Sequence, residues 1–257
     1  MDEQAALAAE NISHLNQGQC AAFDEIVKAV DEQSGKTFFL HGPGGTGKTF
    51  TYNTLSYYFH SQGKIVHCVA SSEIAALLFI GGRTAHSCFK IPLKIHEESV
   101  CSFSKNSEIR DLLRITDLII WDEALMQHRH IHKCVNCTFQ DIQGNDKPFG
   151  EIVVVFGGNF KQILPVIVKG SGAQVVGANL QRSHLWHSIT VLHLTENMHL
   201  NTANHIESKF AKWQLEVGHG DHTDPSDNIT LPDHFHCPEN TIESLIDTIY
   251  PGVSAIQ

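Results

Sequence analysis

Gly42-Pro43-Gly44-Gly45-Thr46-Gly47-Lys48-Thr49 decides the fold of this chain, since it fits the phosphate-loop pattern G-x-x-x-x-G-K-[ST] at every position. An apolar run over 36–41 predicts a buried strand before it, and residues 48–59 predict a helix after it. In that context the glycines let the loop turn its N–H groups toward phosphate oxygens, and the helix dipole adds to the attraction. The pattern predicts that all eight residues bind nucleotide, with Lys48 on the β- and γ-phosphates and the Thr49 hydroxyl holding magnesium. An ordinary glycine-rich turn is the alternative.

Two adjacent carboxylates, Asp122 and Glu123, follow another apolar run at 117–121. This places them at the carboxyl end of a strand, where open α/β sheets bind ligands. We expect Asp122 to hold magnesium, directly or through water, and Glu123 to orient and deprotonate the attacking water. The second carboxylate favours a hydrolase over a small-molecule P-loop kinase, and a solvated turn is the alternative. The chain has no Asn-Lys-x-Asp segment to read guanine, which argues against a GTPase.

A third polar segment, Gly157-Gly158-Asn159-Phe160-Lys161-Gln162, follows the apolar run at 152–156. Gln162 is predicted to sense the γ-phosphate and to pass its loss to a nucleic-acid groove. Taken alone, a glutamine in a loop is usually a surface residue.

The order of elements predicts an α/β fold with a mainly parallel sheet covered on both faces, because apolar strands alternate with helices. Residues 1–14 are predicted to be a loosely held helical lead-in, 92–108 an irregular surface segment and 218–240 a long loop. The predicted strands are 36–41, 64–70, 117–121, 152–156 and 191–194, and the predicted helices after the phosphate loop are 48–59, 74–78, 126–142 and 241–249.

Composition predicts a soluble intracellular protein. Hydrophobic residues make up 42% of the 257 residues, and no apolar run is long enough for a transmembrane helix. The N-terminus is acidic and lacks the basic region of a signal peptide. Seven cysteines form no disulfide framework, which indicates reduced thiols. The net charge of −10 is not typical of a nucleic-acid-binding protein, although a local groove can still be basic.

Seven segments occur in the order found in PIF-type (petite integration frequency) DNA helicases, and the chain most resembles the plant and Helitron-transposon branch. The resemblance covers residues 15–200. It is carried by Leu15-Asn16-x-x-Gln19, the phosphate loop, Ala70-Ser71-Ser72-x-Ile74-Ala75-Ala76, Gly82-Arg83-Thr84-Ala85-His86-Ser87, Ile120-Trp121-Asp122-Glu123-Ala124, Gly158-x-Phe160-x-Gln162-Ile163-Leu164-Pro165 and Leu194-Thr195-Glu196-Asn197-Met198.

This resemblance implies a RecA-like P-loop NTPase lobe at 15–200 and a superfamily-one helicase that uses ATP and magnesium for 5′-to-3′ movement on single-stranded DNA. By the matched positions, Gln19 reads adenine, and Thr84, His86 and Phe89 lie along the DNA strand. The resemblance also implies roles in DNA repair, recombination and telomere maintenance. We expect residence in the nucleus, with the mitochondrion as the alternative, and we infer neither a membrane nor an obligate protein partner.

The chain also departs from the family pattern. Glu73 replaces a glycine, Asn159 and Lys161 replace an Asp and an Arg, and His199 stands where the family has an arginine. That arginine resembles an arginine finger, which is worth about 10³–10⁵ in rate in other NTPases. Residues 201–257 are expected to be a partial connecting region with the second RecA-like lobe absent. We therefore expect a chain that binds ATP and magnesium but hydrolyses slowly and does not unwind DNA alone. The alternative is a non-motor ATP-binding fragment or transposon relic.

A histidine- and cysteine-rich stretch at 128–137 raises the question of zinc. His130, Cys134 and Cys137 share one helical face. A lone C-x-x-C without a second pair is weak support for a zinc site. Buried thiols and exposed imidazoles are the favoured interpretation.

Overall fold

The structure is a computed structural model that describes residues 2–104, 107–198, 205–222, 224–226, 228–232, 236–237, 239 and 241–251, with the backbone alone for residues 2 and 205–208. The chain divides into two units, Met1–Leu200 and Asn201–Gln257. In the described part of the second unit the helices are α9 (His205–His219) and α10 (Ile242–Ile249).

The first unit contains six strands, eight helices and short 3₁₀ turns within its described residues. The strands are β1 (Thr37–His41), β2 (Val66–Ala70), β3 (Arg83–Thr84), β4 (Leu118–Asp122), β5 (Val153–Gly158) and β6 (Ile189–His193). The helices are α1 (Asp2–Ser13), α2 (Gln17–Asp31), α3 (Lys48–Ser61), α4 (Glu73–Ala76), α5 (Ala85–Phe89), α6 (Glu108–Arg114), α7 (Arg129–Gln143) and α8 (Gly172–Gly177).

The strands form one sheet in the order β3-β2-β4-β5-β1-β6, and every neighbouring pair is parallel. In the register, His41 pairs with Gly158 and Ala70 pairs with Asp122. Because parallel strands end at the same edge, the segments that follow β1, β2, β4 and β5 emerge together. The predicted parallel sheet is confirmed.

Helices cover both faces of the sheet, because alternate strand residues point to opposite sides. Phe38 and Leu40 pack in a core with residues of α2 and α3, whereas Phe39 packs in a second core with Trp121 and with Phe139 of α7. Burying each large apolar side chain contributes about 1.5–3 kcal/mol. Both cores together give the predicted three-layer α/β fold.

Several element bounds differ from the predictions. The helix predicted at 126–142 begins at Arg129, because Ala124–Met126 forms a 3₁₀ turn and the His128 ring accepts a hydrogen bond from the His130 N–H as the N-cap. The sequence predicts neither the two-residue strand β3 nor the short helices α5, α6 and α8, nor α9. The described residues of 92–107 have no helix or strand, as predicted, and α6 then begins at Glu108.

The N-terminal segment is helical as predicted, but it is not loosely held. Ala8 of α1 is 3% exposed, and Ile12 packs against the core on the α2 and α3 face. Apolar contact therefore fixes this helix to the first unit. Among the described helices, none has the length and apolar character needed to cross a membrane.

Candidate nucleotide-binding site

The glycine-rich loop joins β1 to α3 and closes on itself. Gly45 and Gly47 have φ angles of 82° and 78°, in the left-handed region that favours glycine. A Cβ on Gly47 would stand 2.2 Å from Nε2 of Gln19. The Thr46 hydroxyl donates to the Pro43 carbonyl at 2.9 Å. The loop therefore keeps a tight path that only glycine allows at position 47.

Lys48, the first residue of α3, folds back over this loop. Its Nζ donates to the Gly42 carbonyl at 2.7 Å and to the Pro43 carbonyl at 3.3 Å, and the residue is 9% exposed. These carbonyls are neutral acceptors, and charged acceptors such as phosphate oxygens bind an ammonium more strongly. The Lys48 ammonium group therefore lies at the loop, where the oxygens of a bound phosphate group would compete with the two carbonyls for its hydrogen bonds. Thr49 is half-buried in the first turn of the same helix.

Gln19 connects the start of α2 to the loop. With Asn16 it forms a capping box: the Gln19 N–H donates to Asn16 Oδ1, and the Asn16 N–H donates to Gln19 Oε1, both at 2.9 Å. Gln19 Nε2 donates to the Thr46 carbonyl at 3.0 Å, and the residue is 1% exposed. The structure brings Gln19 to the phosphate loop, and its reading of adenine stays a prediction.

Asp122 ends β4 and is 4% exposed, and its Oδ1 is buried without a hydrogen-bond partner. Burial raises the pKa of its carboxyl group, opposed by the N–H of Glu123 and by the charge of Lys48. A buried carboxylate oxygen without a partner is costly unless a cation or a donor meets it. Carboxylate oxygen is also the ligand type that magnesium prefers. The residue therefore fits the predicted magnesium site.

Glu123 follows in the left-handed region, with φ at 51°. Its carbonyl oxygen accepts a hydrogen bond from the Ser71 hydroxyl at 2.5 Å, which holds this strained backbone. Burial raises the pKa of the Glu123 carboxyl group, and the charge of Asp122 raises it further, while Lys48 lowers it. The sequence places Ser71 in a family motif but carries no signal for this supporting hydrogen bond.

Gln162 lies in the segment after β5, at the same sheet edge as the loop. It is exposed, and its backbone N–H donates to the Asn159 carbonyl at 3.0 Å. Its neighbour Phe160 stacks on the ring of His41, the last residue of β1, with 4.3 Å between ring centroids. The Gln162 segment is therefore anchored beside the start of the phosphate loop, and a role in sensing the γ-phosphate stays a prediction.

Three residues are predicted to lie along the DNA strand, and for Phe89 this prediction is wrong. Phe89 is fully buried in the core, with its ring centroid 5.6 Å from that of Trp121 and 5.8 Å from that of Phe139, so it presents no surface to a strand. Thr84 is half-exposed and caps α5, since its hydroxyl oxygen accepts the Ser87 N–H at 3.2 Å. His86 is also half-exposed. Thr84 and His86 remain candidates for contact with nucleic acid.

The cysteine-rich stretch lies on α7. Cys134 Sγ is 3.7 Å from Cys101 Sγ, and both residues are buried. Within the part of the chain that the structure describes, no three His, Cys, Asp or Glu side chains gather to hold a metal ion. His199, the substitution at the arginine position, lies outside the described residues.

The fold and this edge define the class of the protein. A glycine loop between β1 and α3, with two carboxylates at the end of β4, is the arrangement of a P-loop nucleotide-binding protein. The profile of the PIF1-like helicases matches residues 14–228, and the chain belongs to this family.

The most similar relatives include an ATP-dependent DNA helicase Pif1 of Psychrobacter, which is 33% identical over 166 residues, covering 64% of this chain and 25% of the relative. The ATP-dependent DNA helicase RRM3 of Saccharomyces cerevisiae is 28% identical over 149 residues, covering 57% of this chain and 20% of the relative. The chain therefore spans about a fifth to a quarter of the length of these relatives.

Solved structures have the same fold. Bacteroides Pif1 bound to single-stranded DNA superposes with a TM-score of 0.61 at 24% identity, covering 77% of this chain and 46% of that one. Pif1 of Candida albicans superposes with a TM-score of 0.62 at 22% identity, covering 85% and 49%. The RecA-like P-loop fold predicted from the sequence is confirmed.

Proposed function

We propose that residues 15–200 form the nucleotide-binding lobe of an ATP-dependent DNA helicase that moves 5′-to-3′ on single-stranded DNA. One observation carries this proposal. In a chain of the PIF1-like family, the buried carboxylate of Asp122, whose Oδ1 has no hydrogen-bond partner, lies at the same sheet edge as the phosphate loop and Lys48. The loop and Lys48 suit the phosphates of a nucleotide, and the Asp122 carboxylate suits a divalent cation bound to those phosphates.

The chemistry follows from the placement of each group. Lys48 and the loop N–H groups bind the phosphates, while Thr49 and Asp122 hold magnesium, which when bound neutralises phosphate charge. Glu123 takes the proton of the attacking water at its carboxylate. Because burial and Asp122 raise the pKa of Glu123, its carboxylate is a better base than an ordinary surface glutamate. Lys48, Glu123 and Gln162 are thus the proposed catalytic residues.

Other roles rest on the resemblance together with the placement of the residues. We assign adenine recognition to Gln19, detection of γ-phosphate loss to Gln162, and contact with single-stranded DNA to Thr84 and His86. The seven segments support placement in the plant and Helitron branch. They also support work in DNA repair, recombination or telomere maintenance, in the nucleus or alternatively in the mitochondrion. We assign residues 201–257 to a partial connecting region that follows this lobe.

ATP hydrolysis measured with and without single-stranded DNA tests the proposal. We expect the chain to hydrolyse ATP slowly and the DNA to raise the rate. Glu123→Gln should lower that rate by about 10²–10⁴-fold and leave ATP binding intact, since it removes the base but keeps the shape. Glu98→Gln, at an exposed glutamate, is the matched control and should behave as the parent chain.

Two other outcomes separate the alternatives. If the chain binds ATP but single-stranded DNA does not raise the rate of ATP hydrolysis, the chain is the non-motor nucleotide-binding fragment. Hydrolysis that survives Glu123→Gln at the parent rate would contradict the assignment of the base.

A further inference from the structure

Tyr52 is a polar residue of the site that the family motifs do not use. It lies on α3, one turn after Lys48, and is fully buried. Its ring packs against Phe79, with 5.9 Å between ring centroids. Its hydroxyl group is buried without a hydrogen-bond partner. A tyrosine hydroxyl in such a place normally finds a partner, so the group calls for an explanation.

The hydroxyl of Tyr52 lies beside the carboxylate of Asp122. A Cβ placed on Gly157 of β5 would stand 1.9 Å from the Tyr52 hydroxyl oxygen and 2.7 Å from Asp122 Oδ1. Both oxygens therefore border the same small space next to Gly157, and neither has a partner. Gly157 keeps this space open, because any other side chain would collide with both groups.

The two groups are chemically complementary. An ionised carboxylate can only accept hydrogen bonds, whereas a phenol can donate one. Their present arrangement leaves the Tyr52 hydroxyl and Asp122 Oδ1 without partners, and a small movement of either side chain would join them. Movement of the Asp122 carboxylate is expected when a cation binds to it.

We propose that Tyr52 is a positioning residue for the magnesium site: its hydroxyl donates a hydrogen bond to Asp122 Oδ1 when magnesium and nucleotide are bound, and so orients the carboxylate toward the cation. This inference rests on the proposed function, since it requires Asp122 to hold magnesium. Groups that orient metal ligands in this way typically change metal affinity by about 10- to 100-fold.

A purely structural role for Tyr52 predicts a different result. If the side chain only fills the core, phenylalanine fills it equally well and removes an unsatisfied hydroxyl. Tyr52→Phe would then leave magnesium binding unchanged. Stability alone does not separate the two roles, because both allow an equal or higher melting temperature for this variant.

The experiment is a magnesium titration of ATP binding on the full 257-residue chain, with a fluorescent non-hydrolysable ATP analogue. We expect Tyr52→Phe to raise the magnesium concentration at half-maximal binding by about 10-fold or more. Binding of the analogue in excess chelator and the melting temperature should not fall. Tyr58→Phe, a half-buried tyrosine on the same helix, is the matched control and should titrate as the parent chain.

Asp122→Asn distinguishes failure of this inference from failure of the proposed function. If Asp122→Asn loses magnesium-dependent binding while Tyr52→Phe titrates as the parent chain, the role of Tyr52 is overturned and the magnesium site stands. If Asp122→Asn keeps full magnesium dependence, the metal-site assignment is itself wrong, and the role of Tyr52 is overturned with it.

Discussion

Asp122 and Glu123 are neighbours in sequence, but they differ at the scale of the single residue. Asp122 is 4% exposed and belongs to the strand, whereas Glu123 is half-buried and turns into the left-handed region. The pKa of both carboxyl groups is raised, in each case mainly by burial. This difference suits the two roles, since the deeper carboxylate can hold a cation and the outer one can reach a water molecule.

His132 gives the chain a pH-dependent stability. Its ring is fully buried on α7 against Trp121, 4.9 Å between centroids, and neither ring nitrogen has a partner. Burial, and then the charge of His128, lowers the pKa of His132 from 6.5 to about 3. The unfolded chain therefore binds this proton more readily than the folded chain. The contribution is fully present above pH 6.5 and is lost as the pH falls toward 3.

The predicted consequence is a loss of stability in mild acid to which His132 contributes, together with other histidines whose pKa burial lowers, among them His41, His60 and His67. In urea unfolding between about pH 7 and pH 5, His132→Leu should reduce the slope of unfolding free energy against pH by up to about 1.4 kcal/mol per unit. His184→Leu, at an exposed histidine, should leave the slope unchanged. An unaltered slope in His132→Leu would show that other histidines carry the effect.

At this scale the sequence predicts which residues are candidates for the site, but it does not predict how deeply each side chain is buried or what it packs against. The motifs select Lys48, Asp122 and Glu123 as candidates, because phosphate and magnesium chemistry requires these residue types at fixed places after strands. They misplaced Phe89, because an aromatic residue at the end of a short helix can face a groove or the core. The packing of α5 against β4 and α7 decides that question, and no local pattern records it.

At the scale of the element, the start of α2 supports the phosphate loop. The capping box of Asn16 and Gln19 fixes the first turn, and Gln19 Nε2 then reaches the Thr46 carbonyl. The backbone N–H of Met198 also donates to a carbonyl of the loop, that of Gly45, at 2.8 Å. Two segments far apart in sequence thus hold the loop, so the helix cap is part of the proposed nucleotide site.

Removing the cap should therefore affect both stability and binding. Asn16→Ala should cost about 1 kcal/mol of unfolding free energy and weaken ATP binding several-fold, since Gln19 loses its orientation. Ser171→Ala removes the equivalent capping box on α8, with Gln174, and serves as the control. Chemical denaturation and ATP titration measure the two effects. Equal ATP affinity in the Asn16 variant and in the parent chain would contradict the link.

Long apolar strands and periodic helices were predicted to within a few residues, as β1, β4, β5 and α3 illustrate. The two-residue strand β3 was not, because its pairing with β2 exists only once the sheet has formed. Short helices such as α5 and α8 have too few residues for a periodic pattern. Their starts are set by capping side chains such as Thr84 and Ser171.

At the scale of the whole molecule, strand order brings the motifs together. β1 lies between β5 and β6, and β4 lies between β2 and β5. The phosphate loop, Asp122 with Glu123, and the Gln162 segment consequently leave three adjacent strands at one edge. The sequence predicted a parallel sheet, but the order of its strands follows from the three-dimensional packing alone.

The central claim is that this edge binds ATP through Lys48, and calorimetric titration of the 257-residue chain with ATP and magnesium tests it most directly. We predict that Lys48→Ala weakens binding by about 10- to 100-fold, the value of a hydrogen bond to a charged group. Lys28→Ala, whose side chain is 69% exposed, should bind as the parent chain does. ATP affinity unchanged by Lys48→Ala would contradict the account.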